Sequence, residues 1–250
     1  MKQGTFNKIF RIGNLVIKLS KEHSSVSKEI AMMGSDDIKK YENDIKATGV
    51  RTSKIYLHLK SKNTSLILQE YIKGYTLQEF FENIEISNLD KLKMFRELIV
   101  LYRKTLKNDN LCLDWNLKNF IISKGEIFYI DYVPALYRNC IEKVTSERLA
   151  QYKASYLDKQ IQLAGIISYA IVPFFKENKS LLNDVYKNMI SCIEEILGIR
   201  FENLNLSNHV YMKKLEIISE YLCSCQSYEE FIQQYKSVTM EKTVIKKRLY

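Results

Sequence analysis

The chain has 250 residues, 46% of them hydrophobic, with only 8 Gly and 2 Pro, and its formal charge is +9. That length allows one domain or two small ones with ample core, and it excludes a linker, a tail or a low-complexity segment. The charge is uneven, with 23 Lys and Arg against 16 Asp and Glu in residues 1–139, and 11 against 12 in residues 140–239. Neither a basic stripe interleaved with aromatics nor a nucleic-acid module is visible, so no nucleic-acid partner is expected.

In chain order, GTFNKIFRI and NLVIKLS alternate about a Gly13-Asn14 turn, which predicts two antiparallel strands. Ser24 to Thr48 is polar with helical spacing and predicts one or two helices. KIYLHLK, a turn over Ser61–Thr64 and SLILQEYI predict a second strand pair. After Gly74 the pattern turns helical, over Thr76–Glu85 and then Leu89–Asn108. Phe120–Ser123 and Ile127–Ile130 are rich in β-formers, and Lys124-Gly125 between them signals a tight hairpin. From Thr145 the chain reads as helical almost to its end.

The opening MKQGTFNKIF has no apolar h-region, so no secretory signal is expected. LAGIISYAIVPFF from Leu163, the longest apolar stretch, falls short of the roughly 20 residues a bilayer crossing needs. It also contains Pro173, and a buried core helix rather than a membrane span is expected. The 5 scattered cysteines argue against a disulfide framework and for the reducing cytoplasm. Cys223-x-Cys225 has no matching second pair and reads as structural.

A hairpin brings the ends of its strands together. Asp114 and Asn119 precede its first strand and Asp131 ends its second, so all three are expected at one open end. Three oxygen-bearing side chains converging there suit a hard cation such as Mg²⁺, or are solvated loop residues.

The order of these features carries a resemblance. A strand pair is followed by a strand lysine (Lys18), a helix glutamate, a strand ending in QEYIKG, a helix, Asp-x4-Asn, a hairpin and another Asp. The chain looks like a small-molecule kinase of the aminoglycoside phosphotransferase and choline kinase superfamily, over roughly residues 4 to 134. The resemblance implies an α+β, two-lobed protein-kinase-like fold. A small antiparallel-sheet lobe over residues 1–72 would bind nucleotide. A larger, mainly helical lobe over residues 73–250 would carry the catalytic hairpin and the acceptor pocket.

The resemblance also implies the site. Asp114 would be the catalytic base, and Asn119 and Asp131 would hold Mg²⁺. Lys18 would contact the α/β-phosphates of ATP, steadied by Glu42 on YENDIKATGV or, alternatively, by Glu29. Gly4 and Asn7 of GTFNK resemble the short G-x-x-N loop over the phosphates. The backbone of Glu70, Tyr71 and Ile72 would meet the edge of the adenine, with GTP left open. The chain departs from the pattern in three places. It lacks G-x-G-x-x-G, has Cys112-Leu113 where His-Gly or His-Arg is usual, and has Val133 rather than Gly after Asp131-Tyr132.

The implied activity is ATP- and Mg²⁺-dependent transfer of the γ-phosphoryl group to a hydroxyl of a small metabolite or antibiotic-like molecule, as in antibiotic resistance. Glu194-Glu195 and Glu229-Glu230 permit a cationic acceptor but read more simply as solvated helix faces. The alternatives are a kinase of lipopolysaccharide-core sugars or an atypical protein kinase of the tRNA-modification machinery, whose anionic partners suit a basic front half. A third is a nucleotide-binding pseudokinase scaffold, which would be free to lose any of Lys18, Asp114, Asn119 or Asp131.

Overall fold

Two strand pairs meet edge to edge in the front part of the chain. β1 (Asn7–Ile12) and β2 (Leu15–Lys21) are antiparallel across the Gly13-Asn14 turn, where Gly13 takes φ +57°. β4 (Ile55–Ser61) and β5 (Thr64–Glu70) are the second antiparallel pair, and β5 lies against β2 to give the order β1-β2-β5-β4. The computed structural model describes residues 7–21, 33–61, 64–201 and 209–238. Gly4 and Glu29 therefore lie outside the described residues, as do residues 24–32 of the helical stretch expected over residues 24–48.

Strand alternation gives this sheet two faces. One row runs Phe10, Ile17, Leu68 and Leu57; the next runs Ile9, Lys18, Ile67 and His58, on the opposite face. Lys18 and Ile67 are buried on that second face, as is Gln69 two residues further along β5. A lysine in an apolar row is unusual, and its burial places the ammonium against the rest of the unit.

A second sheet, not anticipated from the sequence, has the order β3-β8-β7-β6. Its centre is the expected hairpin, β7 (Phe120–Ser123) and β8 (Glu126–Tyr129). Lys124 and Gly125 take φ +52° and +78°, the left-handed pair that a two-residue hairpin turn requires. Two very short strands flank it: β3 (Arg51–Thr52), parallel to β8, and β6 (Tyr75–Thr76), antiparallel to β7. Strands this short leave no periodicity to read. Gly74 precedes β6 where the chains come closest, and a Cβ there would collide with the Ile122 carbonyl.

α1 (Ile38–Ala47) turns Ile38, Tyr41, Glu42 and Ile45 inward, and its N-cap Asp37 accepts from the Lys40 amide at 3.0 Å. The other described helices are α2 (Leu77–Glu82), α3 (Asn88–Thr105), α4 (Arg138–Ile141), α5 (Ala150–Leu157), α6 (Lys159–Ala170), α7 (Lys179–Leu197), α8 (Val210–Cys223) and α9 (Tyr228–Ser237). The apolar stretch from Leu163 is the buried core of α6, which stops before Pro173 as expected. Among the described residues no helix is long and apolar enough to cross a membrane.

The chain is thus α+β and divides into two compact units. The first draws on residues 1–77, 104–114 and 118–145, and holds both sheets and α1. The second draws on residues 78–103, 115–117 and 146–250 and is helical in its described parts. In the second unit Arg96 grips Glu195 with two hydrogen bonds of 2.8 and 2.7 Å. Glu230 closes a capping box with Ser227 at the start of α9. Both acids belong to pairs considered above as a lining for a cationic acceptor; Glu195 pairs with Arg96 of α3, and Glu230 caps its own helix.

His209 caps α8 from a buried position. Its Nδ1 accepts from the Tyr211 amide at 3.2 Å while Nε2 faces the Gln151 carbonyl at 2.9 Å, which selects the neutral ring with the proton on Nε2. Burial lowers its pKa, opposed by the Gln151 hydrogen bond and Asp158. A depressed histidine pKa means the cap contributes fully above the unfolded pKa and is lost as pH falls below it.

Two outcomes follow from this packing. Gly74→Ala is expected to cost about 1–3 kcal/mol from overpacking against Ile122, read by chemical denaturation. His209→Asn keeps a capping acceptor that does not titrate, so its stability should fall less than the parent's between about pH 7 and pH 5. Parallel losses in parent and variant would remove His209 as the source.

Candidate active site

Asp114, Asn119, Asp131 and Lys18 all belong to the first unit, and the structure brings them together around the open end of the β7–β8 hairpin. The ladder Phe120–Tyr129 is extended one step by the Ile130 amide, which donates to the Asn119 carbonyl at 2.9 Å. Asn119 then turns its side chain back, and Nδ2 donates to the Asp114 carbonyl at 3.3 Å. With the amide nitrogen committed, Oδ1 is the end of Asn119 suited to a cation. On the opposite strand end, the Asp131 carboxylate lies 3.9 Å from Lys18 Nζ and keeps 26% of its side chain exposed.

Lys18 is held by main chain. Its ammonium donates to the Ile130 carbonyl at 2.7 Å, beside the carboxylate of the next residue. Burial lowers its pKa and Asp131 opposes that shift. A buried cation needs both a hydrogen bond and a counter-charge, and Ile130 and Asp131 supply one each.

The glutamate expected to steady Lys18 is placed differently. Glu42 is buried on α1 and ion-pairs with Lys46, one turn further on the same helix. Among the described residues the ion pair of Lys18 is with Asp131. Lys46 lies four residues after Glu42, the spacing at which helix side chains meet, so the sequence did contain the competing partner.

The loop before Asp114 lacks the usual histidine, and its support comes from two tyrosines that sequence reasoning did not single out. Tyr41 of α1 donates to the Cys112 carbonyl at 2.6 Å. The Asp114 amide donates to the Tyr129 hydroxyl at 3.4 Å, and that hydroxyl hydrogen-bonds to Tyr41. The result is a chain of donors from Asp114 through two phenols to the carbonyl two residues before it. Burial holds both phenols well above the ordinary tyrosine pKa, so both stay protonated. The Cys112 amide in turn donates to the Leu136 carbonyl at 2.9 Å.

Asn7 opens β1 with its backbone paired to Ser20. At the end of β5, the Glu70 amide donates to the Lys54 carbonyl at 2.8 Å and the Tyr71 amide to the Asn14 carbonyl at 2.9 Å. Arg11 stacks over the Tyr71 ring, 3.8 Å from its centroid. Ile72 follows, half-buried, where the chain leaves the sheet.

Among the described residues no group of three or more His, Cys, Asp or Glu forms a metal cluster. One carboxylate and one amide oxygen at a strand end are a sparser set. They suit a hard cation that keeps waters and takes its remaining ligands from a bound anion. No protein-family model matches this chain, and no curated protein matches it.

Removing either hydroxyl of the tyrosine chain leaves a buried partner unsatisfied. Tyr41→Phe and Tyr129→Phe should each cost about 1–3 kcal/mol in urea unfolding. The double variant should lose less than the sum of the two, because the hydroxyls share a bond. Strictly additive losses would break the chain as described.

Proposed function

We propose that this protein is an ATP- and Mg²⁺-dependent O-phosphotransferase acting on a small hydroxylated acceptor, resembling the aminoglycoside phosphotransferase and choline kinase superfamily, and working in the cytoplasm. The observation that carries the reading is the juxtaposition of Asp114, Asn119, Asp131 and Lys18 at one hairpin end, linked by Asn119 Nδ2 to the Asp114 carbonyl and by Lys18 to Asp131. Hairpin geometry by itself gathers Asp114, Asn119 and Asp131; the buried Lys18, brought from β2 to the Ile130 carbonyl and the Asp131 carboxylate, is the member that a hairpin does not require.

Phosphoryl transfer asks mainly for positioning and neutralised charge. Asp114 orients the acceptor hydroxyl and takes its proton as the oxygen bonds to the γ-phosphorus; the bond to the β–γ bridging oxygen breaks and ADP leaves. Lys18 neutralises the α/β-phosphates. Asn119 and Asp131 fit Mg²⁺, which supplies charge neutralisation between the phosphate oxygens when bound. Since Glu70 and Tyr71 use their amides on Lys54 and Asn14, the Ile72 amide is the donor in this stretch that an adenine edge would meet.

The choice of acceptor charge is informed by the second unit. Glu195 is gripped by Arg96, and Glu230 caps α9. These acids therefore offer no argument for a cationic acceptor. Free thiols on all five cysteines accord with a reducing compartment.

The test separates enzyme from scaffold. Asp114→Asn keeps the size and most hydrogen bonds but removes the basicity, so turnover, read as slow ATP hydrolysis if no acceptor is in hand, should fall by about 10²–10⁴-fold with nucleotide affinity nearly unchanged. Asp131→Ala should lose Mg²⁺-dependent nucleotide binding together with turnover. A parent that binds ATP but neither hydrolyses it nor transfers phosphate to any acceptor in a panel of hydroxylated compounds would be a scaffold.

A further inference from the structure

Gln69 is 2% exposed on a strand face otherwise suited to apolar side chains. Its Nε2 is shared between the Ser53 hydroxyl at 3.2 Å and the Ile130 carbonyl at 3.3 Å. Its Oε1 is buried with no hydrogen-bond partner among the described residues. Turning the amide over would set Oε1 against the Ile130 carbonyl, which cannot donate, so that carbonyl fixes the orientation, whereas the Ser53 hydroxyl can donate or accept. A buried acceptor with no donor is costly, and Leu or Met at this position would avoid that cost. What Gln69 provides in exchange is its nitrogen, which donates to the Ser53 hydroxyl and the Ile130 carbonyl.

The network it joins surrounds Asp131. Ser53 Oγ accepts from Gln69 and lies 3.1 Å from the Tyr132 hydroxyl, which donates to the Ser53 carbonyl at 2.5 Å. The Ser53 amide donates to the Tyr129 carbonyl at 3.2 Å. The residues on both sides of Asp131 are thus tied to the same buried group, Tyr132 directly and Ile130 through Gln69. On the Ile130 carbonyl, Gln69 shares its place with Lys18, whose bond is the shorter at 2.7 Å.

We infer that Gln69 is a positioning residue that keeps the Ile130 carbonyl bonded when Lys18 turns from it to a phosphate. This role rests on the phosphotransferase reading above. With Lys18 engaged elsewhere, a buried carbonyl would lose its strong donor at the moment the adjacent Asp131 must hold a metal. Gln69 Nε2 is already within reach and takes over, so Asp131 stays oriented. The lysine is then free to neutralise charge without loosening the cation site.

Isothermal titration of the whole chain with a non-hydrolysable ATP analogue, with and without Mg²⁺, tests this. The parent should gain affinity on adding Mg²⁺. Gln69→Met, which keeps the volume and removes the donor, should reduce that gain by about fivefold to tenfold, the worth of one hydrogen bond, and change Mg²⁺-free affinity by less than about twofold. A general packing defect would weaken both arms alike and overturn the proposal. Gln69→Leu, which also removes the donor and adds no polar group, serves if Gln69→Met does not fold, and should lose the gain as fully. A parent with the Mg²⁺ gain and variants that retain it would overturn the role of Gln69 alone. A parent without any gain would overturn the phosphotransferase reading and this role with it. A larger loss in Glu42→Gln than in Gln69→Met would assign the support of Lys18 to α1 and overturn the proposal.

Discussion

One main-chain hydrogen bond, from the Ile130 amide to the Asn119 carbonyl, closes the open end of the β7–β8 hairpin. It adds a rung beyond Phe120–Tyr129 and so determines where Asn119 and Asp131 leave the strands. Both polar main-chain groups of Ile130 are then used. Its amide organises the Asn119 side, and its carbonyl receives Lys18 and Gln69. Asn119 and Lys18 meet Ile130 through its main chain, Asp131 follows it in the chain, and Asp114 is joined to the group through the Asn119 side chain.

Support for the site comes from aromatic hydroxyls, in a loop whose sequence lacks the usual histidine. Tyr41 and Tyr129 present large apolar rings to the core and spend their polar tips on the Cys112 carbonyl and the Asp114 amide. In a low-dielectric interior such bonds are strong when complete and costly when broken, which makes the loop conformation all-or-none rather than graded. Tyr132 repeats the pattern on the other side of Asp131 with the Ser53 carbonyl. The candidate base and the candidate metal ligand are each braced by a phenol.

Local signals in the sequence carried the strands, the hairpin and its turn, because alternation and the Lys124-Gly125 pair act over a few residues. β3 and β6 escaped, since two-residue strands exist only through their neighbours. Asp114, Asn119 and Asp131 were readable as a convergent set because hairpin geometry alone brings strand ends together. Tyr41 was not, as its bond spans 71 residues in sequence and depends on how α1 packs. Glu42 is an instructive middle case: the expectation paired it with Lys18, and the helix neighbour Lys46, which it did not weigh, required no long-range arrangement at all. Gln69 had no signal of its own, being one polar residue in the strand end QEYIKG.

The Lys124-Gly125 turn has a consequence for how the site is assembled in time. Its left-handed pair lets the β7–β8 hairpin close locally, on the order of 1–10 μs for such an element. Asn119 and Asp131 are then neighbours as soon as the hairpin exists. Lys18 reaches the Ile130 carbonyl across 112 residues and arrives only when β2 and β5 have docked. A partly folded chain would therefore carry the acidic half of the site without its cation, and such a half repels phosphate. A phosphate-bearing ligand would recognise only the finished first unit, and its binding free energy would be added to the completion of that unit alone.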